Sequence, residues 1–148
     1  MIIWVASYPK SGNTLLRSIL CSLISSDDGV LDLKKLNLVP NFSQKRFFEG
    51  LTNERIDIKE ISKYWIGAQK RIIKNGKYRL LKSHNANCYI NNNPFTNAEI
   101  TAGIIYIVRD PRDVTCSASK HFDLSLEETK NVLLDRSAQT IARKNIDH

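Results

Sequence analysis

The chain begins with a β-branched, apolar run, Ile2-Ile3-Trp4-Val5-Ala6. It passes without a spacer through Ser7-Tyr8-Pro9-Lys10-Ser11-Gly12-Asn13-Thr14 into apolar residues at helical spacing. A strand, a tight turn and a helix in that order leave the first backbone N–H groups of the helix without intrahelical partners. Those groups and the helix dipole suit a multiply charged anion at the turn. Lys10 adds a formal positive charge, Ser11 and Thr14 add hydroxyls, and Gly12 lets the backbone approach a ligand closely.

The Walker loop of nucleoside triphosphatases has the order G-x-x-x-x-G-K-[ST], with the lysine after the second glycine. Here a single glycine follows the lysine by two positions. The order P-K-S-G-N-T is instead similar to the 5′-phosphosulfate loop of sulfotransferases that use 3′-phosphoadenosine 5′-phosphosulfate (PAPS). An ordinary strand-to-helix turn is the alternative that this segment alone leaves open.

At 148 residues the chain fits one domain. Lys and Arg number 22 against 15 acidic residues, a net charge of +7 that favours anionic partners. No basic run and no nucleic-acid motif accompany that charge, so nucleic acid is not the expected partner. No apolar stretch approaches the roughly 18 residues of a membrane span, and the phosphate-type loop sits where a cleaved signal peptide would lie. Cys21, Cys88 and Cys116 are odd in number, far apart and free of C-x-x-C spacing. A zinc site or disulfide framework is therefore not expected, and a reducing, cytoplasmic location fits. The Asn41-Phe42-Ser43 sequon is read as chance.

Leu15, Leu16, Ile19, Leu20, Leu23 and Ile24 predict an amphipathic helix over 12–25 that packs on a sheet. Pro40 and scattered polar residues make 30–56 an irregular excursion with one short helix near 44–50. Ile58, Ile61, Trp65, Ala68 and Ile72 predict a second helix whose basic side is a solvated face. Tyr78–Lys82 reads as a strand, and residues 85–97, with six Asn and a Pro, as loop and turn. The apolar run 103–108 reads as a central strand covered on both faces. Asp110-Pro111-Arg112-Asp113 then opens a helix, with Asp110 as its cap. A last helix starts near Ser125, with Glu128 completing a capping box, and runs to about Arg143. Cys21, Trp4 and Trp65 are expected in the core, His121 and His148 on the surface. Three strands alternating with helices imply an α/β layer fold with a parallel sheet, whose ligands bind beyond the carboxyl ends of the strands. Lys10–Thr14, Lys82–His84 and Arg109–Asp113 all follow strands.

Taken together, the three clusters resemble the PAPS-dependent sulfotransferase family. Tyr8–Thr14 is similar to its 5′-phosphosulfate loop. Tyr106-Ile107-Val108-Arg109-Asp110-Pro111-Arg112-Asp113-Val114, continuing to Ser117, is similar to its 3′-phosphate motif. Leu81-Lys82-Ser83-His84 is similar to the segment that carries the catalytic histidine in the cytosolic branch. The resemblance implies a single sulfotransferase domain over 1–148 and a three-layer fold like that of P-loop nucleoside triphosphatases, with a central parallel sheet flanked by helices. It implies that Lys10 holds the bridging oxygen and that Ser11, Gly12, Asn13 and Thr14 bind the 5′-phosphate by backbone and hydroxyl. Arg109 and Ser117 would bind the 3′-phosphate, His84 would act as general base, and Lys82 would add charge near the transferring group. The donor would be PAPS, the product adenosine 3′,5′-bisphosphate (PAP), and no metal would be required.

Each assignment has a plain alternative. His84 could be a loop histidine bonded to backbone, Lys82 an exposed strand-end charge, Arg109 an ion-pair partner of Asp110 or Asp113, and Ser117 a neutral helix residue. The family continues with a basic, glycine-containing loop that closes over the nucleotide, and nothing after Arg143 here supplies it. A domain truncated at its C-terminal end is expected, with an open sheet edge through which copies of the chain can associate. The acceptor, a small molecule or carbohydrate, is not legible. Competing readings are a non-catalytic or partial PAP/PAPS-binding domain and a P-loop nucleotide kinase. The sulfotransferase reading requires that Lys10 and Arg109 lie side by side.

Overall fold

A computed structural model describes residues 1–52 and 58–135, with the backbone alone at 58 and 59. Three parallel strands form the sheet: β1 (Ile2–Ser7), β2 (Arg79–Ser83) and β5 (Thr101–Ile107), in the order β2-β1-β5. The helices are α1 (Asn13–Ser25), α2 (Ile58–Ile61), α3 (Trp65–Ile72), α4 (Pro111–Phe122) and α5 (Leu126–Leu134). Two short strands, β3 (Tyr89–Ile90) and β4 (Asn93–Pro94), pair as a separate hairpin.

Alternation along β1 divides the core into two clusters. Trp4 pairs in register with Leu81 and Ile104, and Val5 with Lys82 and Ile105. On the Trp4 side, Ile2, Trp4 and Leu81 pack with Phe42, Phe48, Phe95 and the α3 residues Trp65 and Ala68. The Trp4 ring lies 5.4 Å from Phe42 edge-on and 5.1 Å from Phe95. On the Val5 side, Val5 packs with Cys21 of α1 and with Val39. A parallel sheet with helices on both faces is the expected architecture, and Trp4, Trp65 and Cys21 lie in the core as expected.

Four expectations need correction. The run 103–108 does not form the central strand. β1 occupies the centre and β5 the edge, with no strand beyond it among the described residues. Ile104, Tyr106 and Val108 are correspondingly exposed. Apolar composition records a capacity for burial, but not which neighbours arrive. Second, α1 does not bury its whole apolar set. Asn13 and Cys21 turn to the sheet, Leu16 and Leu20 flank them, and Leu15, Ile19 and Leu23 face outward. Six apolar residues in adjacent pairs make two stripes, and the sheet takes only one. Third, residues 58–72 do not form one helix, because a 3₁₀ turn at Ser62–Tyr64 separates α2 from α3. Ser62 is buried there and its hydroxyl donates to the Ile90 carbonyl at 3.2 Å. Fourth, α5 ends at Leu134, where Asp135 turns extended. The rest of the expected helix, to Arg143, lies outside the described residues, as does His148.

The excursion and the Asn-rich segment are more ordered than their composition suggests. Residues Leu33–Leu38 and Lys45–Phe47 form 3₁₀ helices, the second within the short helix expected near 44–50. Asn91 and Asn92 both take positive φ, 50° and 63°, as the two-residue turn between β3 and β4 requires. The caps read from sequence are present. Asp110 accepts from the Arg112 N–H at 2.8 Å, and Ser125 and Glu128 form a reciprocal capping box.

Candidate active site

The turn after β1 is built by two residues in the left-handed region, Lys10 (φ 68°) and Gly12 (φ 102°). A lysine there is conformationally costly, by about 1 kcal/mol or more. Alternation of hand at successive residues makes a concave row of backbone N–H groups suited to an anion. Gly12 is the N-cap of α1 and no side chain caps the helix, so its first N–H groups are open. A Cβ at Gly12 would meet no protein atom within 4 Å, so the space beside it is open. Asn13 turns the other way. Its Nδ2 donates to Val5 O at 3.0 Å and to Ser7 Oγ at 3.2 Å, which ties the helix start to β1 and leaves its backbone N–H for the turn. The buried Asn13 Oδ1 has no partner among the described residues.

At the end of β5, Arg109 reaches back to this loop. Its Nη1 donates to Lys10 O at 3.3 Å, across 99 residues of sequence. Its Nε also lies 3.5 Å from Asp113, so the ion pair considered above is present, but both side chains are largely exposed and the pair is weak. Lys10 and Arg109 are therefore neighbours.

At the end of β2, His84 packs its Nδ1 edge against β1. Nδ1 lies 2.8 Å from Ser7 O and 3.2 Å from Ser7 Oγ. A carbonyl only accepts, so Nδ1 carries the proton and Nε2 keeps its lone pair. Desolvation of the packed edge pushes the imidazole below its ordinary value. The Ser7 carbonyl opposes this, and the Lys82 and Arg17 charges add to it. The net direction favours the neutral imidazole, in which Nε2 is the basic nitrogen. Lys82 itself is half-buried, and desolvation, then the Arg17 charge, lowers its pKa.

Two cavities meet at these strand ends. The larger, about 550 Å³, is lined by Lys10, His84 and Asn85 and by apolar groups such as Ile104, Tyr106 and Phe122. The smaller, about 280 Å³, is lined mainly by apolar groups such as Ile107, Val114 and Leu134, with Ser11, Arg109, Thr115 and Lys130 among them. Tyr8, Tyr106 and Leu133 border both. Both cavities have largely apolar walls with a few charged and polar groups at the strand ends, which suits a ligand with charged groups on an apolar body. The sequence matches the sulfotransferase domain model over residues 2–145, nearly the whole chain.

The chain belongs to the sulfotransferase family. No curated protein matches it. Membership supports sulfuryl transfer in general and fits the parallel, helix-flanked sheet. No helix among the described residues is long and apolar enough to cross a membrane. Within this sulfotransferase domain, Lys10, Ser11 and Arg109 border the cavities, and His84 shares the larger one with Lys10. Thr14 is exposed at the start of α1. Lys82 and Ser117 are not in the wall of either cavity: Lys82 pairs with Val5 on the α1 side of the sheet, and Ser117 is half-buried on α4. Sequence reasoning missed Arg17, Thr115 and Lys130. Arg17 had a signal, as the sole charge within α1. Thr115 and Lys130 had none, since packing of α5 on α4 brings them to the smaller cavity.

Proposed function

We propose that this chain transfers a sulfuryl group from PAPS to a hydroxyl or amine acceptor, with His84 as general base. The hydrogen bond from Arg109 to the Lys10 carbonyl carries the reading, because it joins the two phosphate motifs into one cationic edge. A bisphosphorylated adenosine needs cations at both ends. Lys10 and the open N–H groups of 12–14, with the Ser11 and Thr14 hydroxyls, suit the 5′-phosphosulfate. Arg109 suits the 3′-phosphate through its planar fork, with Ser117 as a hydroxyl partner further along α4 and Lys130 as a second cation on the cavity wall.

In the step itself, His84 Nε2 takes the acceptor proton as the acceptor oxygen or nitrogen bonds to sulfur. The bond from sulfur to the bridging oxygen breaks on the opposite side. Lys10 stabilises the charge left on the departing 5′-phosphate, and Lys82 adds positive potential from the far side of the sheet. The products are PAP and the sulfated acceptor.

Calorimetry with PAP in the absence of metal, compared with ATP and Mg²⁺, tests the donor. PAP should bind and should bind more tightly. Tighter ATP–Mg²⁺ binding would overturn the reading in favour of a kinase. A transfer assay over hydroxyl and amine acceptors tests the chemistry. Transfer that survives His84→Ala at full rate would remove His84 from the base role, and PAP binding without any transfer would leave a binding domain.

A further inference from the structure

Arg17 is the only charged residue of α1 and lies on its sheet-facing side, four residues from each of the buried Asn13 and Cys21. A cation in that position is costly unless its donors are used. Its Nε donates to Val39 O at 2.8 Å and its Nη2 to Leu36 O at 2.9 Å. No carboxylate pairs with it among the described residues. The segment it grips continues directly onto β2. Lys82 N donates to Pro40 O at 2.8 Å, and Phe42 N donates to Lys82 O at 3.0 Å. An unbroken tract therefore runs from the Arg17 fork, through residues 36–42, to the strand end two residues before His84.

We propose that Arg17 is a positioning residue for the transfer reaction: its fork pins residues 36–39 to α1, and the pinned tract fixes the strand end that carries Lys82 and His84. The inference rests on the reading of His84 as base. Arg17 also acts through charge. Its guanidinium and the Lys82 ammonium both disfavour a proton on His84. The other groups around the imidazole are the Ser7 carbonyl and hydroxyl on β1, with Tyr8, Lys10 and Asp135 bordering the same cavity. The Arg17 guanidinium, held by two carbonyls and paired with no carboxylate among the described residues, joins Lys82 in adding to the desolvation that disfavours a proton on His84.

The test uses the full chain with Arg17→Met, which removes charge and fork, and Arg17→Lys, which keeps the charge but not the fork. Amide exchange is followed at Phe42 and Lys82, and the His84 ring is titrated by NMR, assigned by its absence in His84→Ala. Arg17→Met should speed exchange at both amides by about tenfold or more and move the His84 titration to higher pH. Arg17→Lys should speed exchange but leave the titration near the native curve. Native exchange and native titration in Arg17→Met would overturn the proposal, as would a titration that moves equally in both variants. Neither readout needs turnover. PAP binding by the native chain, measured in parallel, shows separately whether the underlying reading holds. Where Arg17→Met does not fold, Arg17→Lys alone decides through the exchange rates: native rates at Phe42 and Lys82 overturn the proposal.

Discussion

Replacement of Arg109 by Ala separates a binding role from a structural one. Among the described residues, Arg109 makes one hydrogen bond, to Lys10 O at 3.3 Å, and one ion pair, to Asp113 at 3.5 Å. Its side chain is 41% exposed and that of Asp113 is 62% exposed, so the pair is heavily screened. Exposed pairs contribute about 0–1 kcal/mol, and a long exposed hydrogen bond adds no more than that. The variant should therefore lose no more than about 1–1.5 kcal/mol of stability. A bidentate guanidinium–phosphate contact is different, with charge-assisted bonds of about 1.5–3 kcal/mol on the bound side. PAP affinity should fall by about 10–150-fold, well beyond any stability loss. Arg109→Lys, which keeps the charge but not the fork, should fall between. Paired measurements decide: calorimetry with PAP, and urea unfolding without ligand. An affinity within twofold of native would refute the assignment of Arg109. So would a stability loss large enough to explain the weaker binding.

Three further outcomes follow from the geometry. Gly12→Ala places a side chain at φ 102°, where space is open but the backbone is unfavourable. Thermal unfolding should show a loss of about 1–2 kcal/mol, and an unchanged midpoint would mean the turn relaxes freely. For His84, the lowered pKa means the unfolded chain binds more protons in the window below about 6.5, so stability and transfer rate should both decline as pH falls through that window. Urea titrations of native and His84→Gln at pH 5 to 8 check the sign, and a native protein that gains stability on acidification relative to the variant would contradict it. Phe42→Ala removes a ring that is 1% exposed and lies 5.3–6.1 Å from the rings of Trp4, Phe47, Phe48 and Phe95. It should cost about 3–5 kcal/mol, read as a shift in the urea midpoint, and a loss below about 1 kcal/mol would mean the aromatic cluster collapses around the gap.

The caps, the first strand and the phosphate-type turn were legible because each is a local pattern. Ser125 and Glu128 find each other three residues apart, and Asp110 caps the helix that Pro111 begins. Position in the sheet was not local. Residues 103–108 read as a central strand by composition, yet the chain sets β1 between β2 and β5. The break at Ser62 was hidden for the same reason, since its partner, the Ile90 carbonyl, lies 28 residues away. The candidate site divides in the same way. Lys10, Arg109 and His84 announce themselves by motif, whereas Lys130 and Thr115 reach the smaller cavity only through helix packing.

The amino-acid order by itself determined which groups stand at the ends of the three strands, because a strand-to-helix turn is written in adjacent residues. Tertiary structure alone decided that Arg109 touches the Lys10 backbone and that the Ser7 carbonyl selects which ring nitrogen of His84 is basic. Those contacts span 99 and 77 residues. They arise because β1 is hydrogen-bonded to a strand on each side, a fact that no window of neighbouring residues contains.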